Sequence, residues 1–148
     1  MKTTTSSWNA EQRLLTTILS GNVDIHDIEA WKASLAAALQ QIPDNSEFKM
    51  FANLHGFKAT DFEAHKAMRT VIPLTLADYN FRAGYVDLFE NVDLLLHKKR
   101  GIICKAVVHV HHDASKIDEY DRRFGNEWER FFTNPKLGED WINNYRIN

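Results

Sequence analysis

The sequence predicts a single α/β domain on a four- or five-stranded, mostly parallel mixed sheet with alternating helices. Three observations predict it. Strand-like and helix-like segments alternate along the chain, the pattern of parallel strands joined by right-handed crossovers. The segment "IICKAVVHV", Ile102 to Val110, is apolar and largely β-branched except for Lys105, as suits a central parallel strand covered on both faces. Ile25, Ile28, Trp31, Leu35, Leu39 and Ile42 recur at three- and four-residue steps, the period of a helix with one buried face.

The elements follow in order. "RLLTTILSG", Arg13 to Gly21, reads as a strand ending at a turn glycine. The helix after it has Asp24 as N-cap, and Pro43 stops it. "FKMFANLHGF", Phe48 to Phe57, reads as the second strand, with Gly56 in the turn. Thr60 and Glu63 have capping-box spacing, which starts a helix at Asp61 that runs towards Ile72, where Pro73 breaks or kinks it. From Leu74 to Arg100 no single period holds, and the length argues for helical pieces rather than one open loop. Ile117, Tyr120 and Phe124 mark a short amphipathic helix ending near Gly125. "ERFFT" reads as the last strand. The last helix has Asn134 as N-cap, Pro135 at its first position, and a buried face of Leu137, Trp141 and Tyr145.

Composition narrows the function classes. The 148 residues suffice for one domain with its own core. Hydrophobic residues are 44% and charged residues 26%, a globular profile. A net charge of -2 gives no field to recruit nucleic acid or an anionic membrane. One cysteine, Cys104, excludes an internal disulfide and a cysteine-based zinc site. The polar start "MKTTTSSWNAEQ" lacks the apolar centre of a signal peptide, and no apolar run approaches the ~20 residues that span a bilayer. A cytoplasmic protein is expected, with "KTTTSS" as a loose or edge segment.

Three stretches resemble STAS domains and the SpoIIAA-like group. "ILSGNVDIHDIEAWKASLAAAL" resembles their first strand–helix unit, "FANLHGFKATDFEA" the second, and "ERFFTNPKLGEDWI" the closing strand and helix. The likeness spans roughly Leu14 to Ile142, within one domain over 1–148, and is a pattern of elements more than a motif. It implies a small regulatory or binding module without catalysis. Where the family's antagonists of anti-sigma factors carry a "DSSG"-like helix start, this chain reads Asp61-Phe62-Glu63-Ala64. Asp61 matches, but the phosphorylatable serine is missing, which argues against a kinase-switched role. The segment at about 71–100 is longer than the usual connection and is an atypical insertion, a candidate lid or surface for a partner or a homodimer.

The candidate chemistry lies where strands end. In open α/β sheets ligands bind beyond the carboxyl ends of the strands. His26 and His55 follow the first two strands, and "AVVHVHHD" closes the third with His109, His111, His112 and Asp113. On a strand His109 and His111 share a face, about 6.5 Å apart along the chain. Such imidazoles, with Asp113 or His55, suit a divalent metal or a proton that moves between pH 5 and 8. The plainer alternative is a polar strand end, with Asp113 capping the next helix. No HExxH-type zinc spacing is present.

Arg69, Arg82 and Tyr85 are candidates to line an anion pocket, with surface ion pairs as the simpler account. "HKKR", His97 to Arg100, reads as a solvated gatekeeper. Cys104 reads as a structural thiol.

The expected function is therefore a non-catalytic module binding a small ligand or a protein partner. Its expected ligand-binding residues are His55, Thr60, Asp61, His109, His111 and His112. No cofactor, metal, nucleic acid or membrane insertion is expected. The alternative is a metal-assisted hydrolase or a histidine-based acid/base enzyme.

Overall fold

Parallel strands need crossovers, so alternation of strand and helix commits the chain to helices layered on a sheet. A computed structural model describes residues 2–89 and 94–147. In chain order the elements are β1 (Thr3–Asn9), β2 (Leu14–Val23), α1 (Ile25–Gln40), β3 (Glu47–Asn53), β4 (Phe57–Ala59), α2 (Phe62–Arg69), α3 (Val71–Ala77), β5 (Ile103–Val110), α4 (Ala114–Phe124), β6 (Glu129–Phe132) and α5 (Pro135–Asn144), with 3₁₀ turns at Gly84–Leu88 and Lys99–Gly101.

The result is one α/β domain with a mixed, mostly parallel sheet of six strands, rather than four or five. The order is β1-β2-β3-β5-β6, with β4 alongside β2. Only β1 is antiparallel, pairing with β2. The two additions have local causes. The Thr- and Ser-rich start is the edge strand β1. The expected second strand divides at the Leu54–Gly56 turn, where Gly56 takes φ +86°, so its last residues form β4 beside the end of β2.

Apart from β4, the strands from β2 onwards are added in one direction, so right-handed crossovers put α1 to α4 on one face. The main core lies there, with Ile28, Trp31, Leu35, Phe48, Met50, Ile72, Leu76 and Val107. α5 covers the opposite face over Leu14, Phe51, Ala106, Val108 and Val110. Trp31 buries its ring in α1 and sends its Nε1–H to Thr17 Oγ1 at 2.7 Å. Ser6 stands 2.8 Å from Thr17 and 2.9 Å from Ser34, and the Ser34 hydroxyl donates to Trp31 O. This polar circuit starts and ends on Trp31. It satisfies a buried threonine and ties the edge strand to α1.

Several sequence expectations are corrected. Asp24 does cap α1, but α2 is capped by Asp61, whose carboxylate accepts from Ala64 N at 2.9 Å, and not by Thr60. The helix breaks at Thr70, before Pro73. A proline in the interior of a continuous helix would clash with a carbonyl four residues back; a fresh start at Val71 leaves Pro73 in the first turn of α3. In α5 the buried residues are Gly138 and Ile142, whereas Leu137 is 53% exposed. The helix meets β5 at Gly138, and a Cβ there would lie 2.6 Å from Val110 Cγ2. That close approach sets the helix rotation and turns Leu137 outward.

The basic stretch is only partly solvated. Arg100 reaches the end of α1 and donates to Leu39 O at 3.1 Å and to Ile42 O, while its Nε donates to Asp44 at 2.7 Å. Positive charge on those last carbonyls suits the helix dipole. Between 71 and 100 the expected helical pieces appear as α3 and the two 3₁₀ turns, and residues 90–93 lie outside the described residues. Among the described residues no helix is long and apolar enough to cross a membrane.

Candidate functional site

β3 and β5 run parallel and finish side by side, with β6 next to them. Over their carboxyl ends α2, α4 and the Gly84–Leu88 turn flank a half-open cavity of about 320 Å³. This is the low end of small-molecule sites, with room for roughly ten waters at liquid density. Leu54, Met68, Ile72, Val110 and Ile117 supply aliphatic walls, and Tyr85, Phe89, Tyr120 and Phe131 supply rings. The other described lining residues are His65, Arg69, His109, His111 and Lys116, and no Asp or Glu is among them.

His109 reaches this cavity because β5 contains one extra residue. Phe48 pairs with Cys104, but Lys49 pairs with Ala106, so Lys105 has no partner in the β3 register. Ile102 and Cys104 face the α1 side. After the bulge that side is held by Val107, while Ala106, Val108 and Val110 turn under α5. His109 alternates with Val107 and therefore faces the cavity. The Cys104 thiol donates to Ala106 O across the irregularity at 3.5 Å, and burial pushes its pKa far up, which fits a structural thiol.

β6 lies beside His109 in a register that pairs it with Phe131. The two rings stack with centroids 4.5 Å apart. Glu129, two residues earlier on the same face, sits 2% exposed with Oε2 2.8 Å from His109 Nε2. Its Oε1 accepts from Gly84 N at 3.0 Å. A buried carboxylate is tolerable only with such partners. It orients the imidazole and favours a proton on Nε2, leaving Nδ1 as the other face of the ring.

Fully buried polar side-chain atoms all have partners among the described residues. His109 Nδ1 and the Tyr85 hydroxyl have none there, and both residues line the cavity. Tyr85 lies edge-on to His109 at 5.3 Å and stacks on Tyr120 at 5.8 Å. Burial first, then the charge of Glu129, pushes its phenol far above the usual range, so it stays a hydrogen-bond donor.

His111 lies just past β5, half-buried. Burial first, and then the neighbouring His112 and Lys116, lower its pKa to about 4. It is neutral at pH 7. Asp113 N–H donates to its Nδ1 at 3.0 Å, which places the proton on Nε2. His65 on α2 is likewise lowered, by burial and by Lys116 and Arg69. Arg69 lays its guanidinium over Phe89 at 4.5 Å.

Of the six expected ligand-binding residues, His109 and His111 line the cavity. His112 is exposed outside it and accepts from Gly56 N at 3.1 Å through Nδ1. It stacks on His111 at 4.4 Å and meets His55 edge-on at 6.0 Å, so His55, His112 and His111 form a row towards the rim. Thr60 and Asp61 are not lining residues: Thr60 N–H donates to Val23 O, and Asp61 caps α2. Asp113 caps α4, as in the plainer alternative. Arg82 is held by Asp87 at 2.7 Å, an ion pair, whereas Arg69 and Tyr85 do line the cavity.

Sequence reasoning passed over Glu129, Tyr120, Phe131 and Lys116. The available signal was "ERFF", in which an acid shares a strand face with an aromatic residue. Among the described residues no group of three or more His, Cys, Asp or Glu is placed to hold a metal ion. Comparison of the chain with protein-family models, with curated proteins and with solved structures finds no match.

Proposed function

We propose that the chain is a small-ligand-binding regulatory module of STAS/SpoIIAA-like type that works without catalysis and without a phosphorylation switch at the α2 start. One observation carries this reading. A half-open, mostly apolar cavity at the carboxyl ends of parallel strands offers a few convergent polar groups, His109, the Tyr85 hydroxyl and His111, and no serine, threonine or cysteine among its described lining residues. The order of strand–helix units supports the family part. The residue after Asp61 is Phe62, 73% exposed, with no hydroxyl to phosphorylate.

The test is ligand-observed and protein-observed NMR against a mixed fragment set. Fragments that shift the His109, Tyr85 and Phe131 signals, and that compete with one another, support the reading. A set of several hundred fragments of every charge class that leaves those signals unmoved would sink it.

The His109–Glu129 pair favours a second reading, a histidine acid/base enzyme. A carboxylate-held imidazole with its second nitrogen open to a cavity is the arrangement of a general base. Turnover in a hydrolase or isomerase substrate screen that is abolished by His109→Gln, with folding retained, would replace the first reading by this one.

A further inference from the structure

We propose that the cavity's ligand is a small aromatic monoanion, with its ring among Tyr85, Tyr120 and Phe131 and its charged head between Arg69 and Lys116. This rests on the ligand-binding reading of the same cavity and adds the ligand's chemical class.

The sign of the charge follows from the lining. Arg69 and Lys116 are fixed cations, and the histidines can add only positive charge. Glu129, against the ring of His109, is committed to His109 and the Gly84 amide. A cationic ligand would meet no counter-charge among the described lining residues. An anion meets two cations and a neutral His111 whose tautomer carries an Nε2 proton to donate. The same field is felt inside the site, since Lys116 and Arg69 both act against protonation of His65.

The shape of the body follows from the rings. Tyr85 stacks on Tyr120 with planes 13° apart, and Phe131 stands edge-on to both. These faces offer offset and edge-to-face contacts to a flat guest, geometries that favour an aromatic ring beyond its buried area. The volume admits a one- or two-ring molecule.

The experiment is calorimetric titration of the full chain at pH 7.5 with four probes: 2-naphthoate, 2-naphthylmethanol, 2-naphthylmethylammonium and octanoate. The site of binding is read from the NMR signals of Tyr85 and Phe131. Naphthoate is expected to bind at least about tenfold more tightly than each of the others. Arg69→Gln and Lys116→Gln change exposed side chains and should fold normally; each is expected to weaken naphthoate about tenfold and leave naphthylmethanol unchanged. Naphthylmethanol or the ammonium probe binding as tightly as naphthoate at those signals would overturn the anion, while the ligand-binding reading stands. Octanoate binding as tightly would overturn the aromatic body. Absence of binding by all four overturns this inference, and the broader reading is then judged by the mixed fragment set.

Discussion

His109 Nε2 and Glu129 Oε2 lie 2.8 Å apart on neighbouring parallel strands, both almost sealed from solvent. Removing one member of such a pair leaves the other buried without its partner. Glu129→Ala also strips the Gly84 amide of its acceptor. Denaturant unfolding should show a loss of about 3 kcal/mol. Glu129→Gln keeps an oxygen for Gly84 but offers His109 an N–H. Its cost should be smaller, and the imidazole should switch to the Nδ1–H tautomer, visible in ¹⁵N shifts. An unchanged tautomer would mean that Glu129 does not set it.

The low pKa of His111 makes a pH prediction. Its unfolded value is near 6.5 and its folded value about 4. Between these values the unfolded chain binds more protons, so stability is full above about 6.5 and falls as pH drops towards 4. His112, Lys116, Asp113 and His55 act on it, and the lowered His65 contributes with the same sign. His111→Gln should flatten the dependence of unfolding free energy across that window. An identical slope in the variant would assign the effect elsewhere.

Gly138→Ala reverses an ordinary expectation. Alanine in a helix interior is normally better than glycine by up to about 1 kcal/mol. Here the added methyl meets Val110 Cγ2 at 2.6 Å and Val108 Cγ2 at 3.4 Å. Overpacking of this kind costs about 1–3 kcal/mol. The thermal midpoint of Gly138→Ala should therefore fall, and a rise would show that α5 can move outward at no cost.

Lys49 is buried on the α5 face, and its ammonium donates to Ile142 O at 2.7 Å and Tyr145 O at 2.9 Å. These are carbonyls at the end of α5, where no following turn supplies donors. Lys49→Met keeps the bulk and removes the donors. A loss of about 1–3 kcal/mol is expected, with faster amide exchange at the end of α5. Full retention of stability would mean that solvent can serve those carbonyls instead.

Much of this was readable from residue order. The run through Val107 and Val108 required a strand buried on both faces, the steps from Ile25 to Ile42 required one helix stripe, and Asn134-Pro135 fixed a helix start. His109 and His111 pointed to the strand end over which the cavity lies. Hidden features depended on how elements meet. Glu129 is an acid in a short strand until the register with β5 brings it against His109. Pro73 reads as a breaker until a new helix starts beneath it. Leu137 looks like core until Gly138 lets the helix sit close to the sheet.

The unpaired Lys105 sets which surface each later side chain of β5 occupies. Taken into regular pairing, Lys105 would move every later residue to the opposite face, presenting valines to the cavity and turning the imidazole under α5, whereas its deletion would leave Cys104 and Ala106 on consecutive register positions and His109 where it is. The site is thus more vulnerable to a one-residue insertion or deletion between Ala106 and His109 than to loss of Lys105 itself. Among relatives that diverge, the spacing from Ala106 to the histidine would report on retention of the pocket before the identity of any residue lining it.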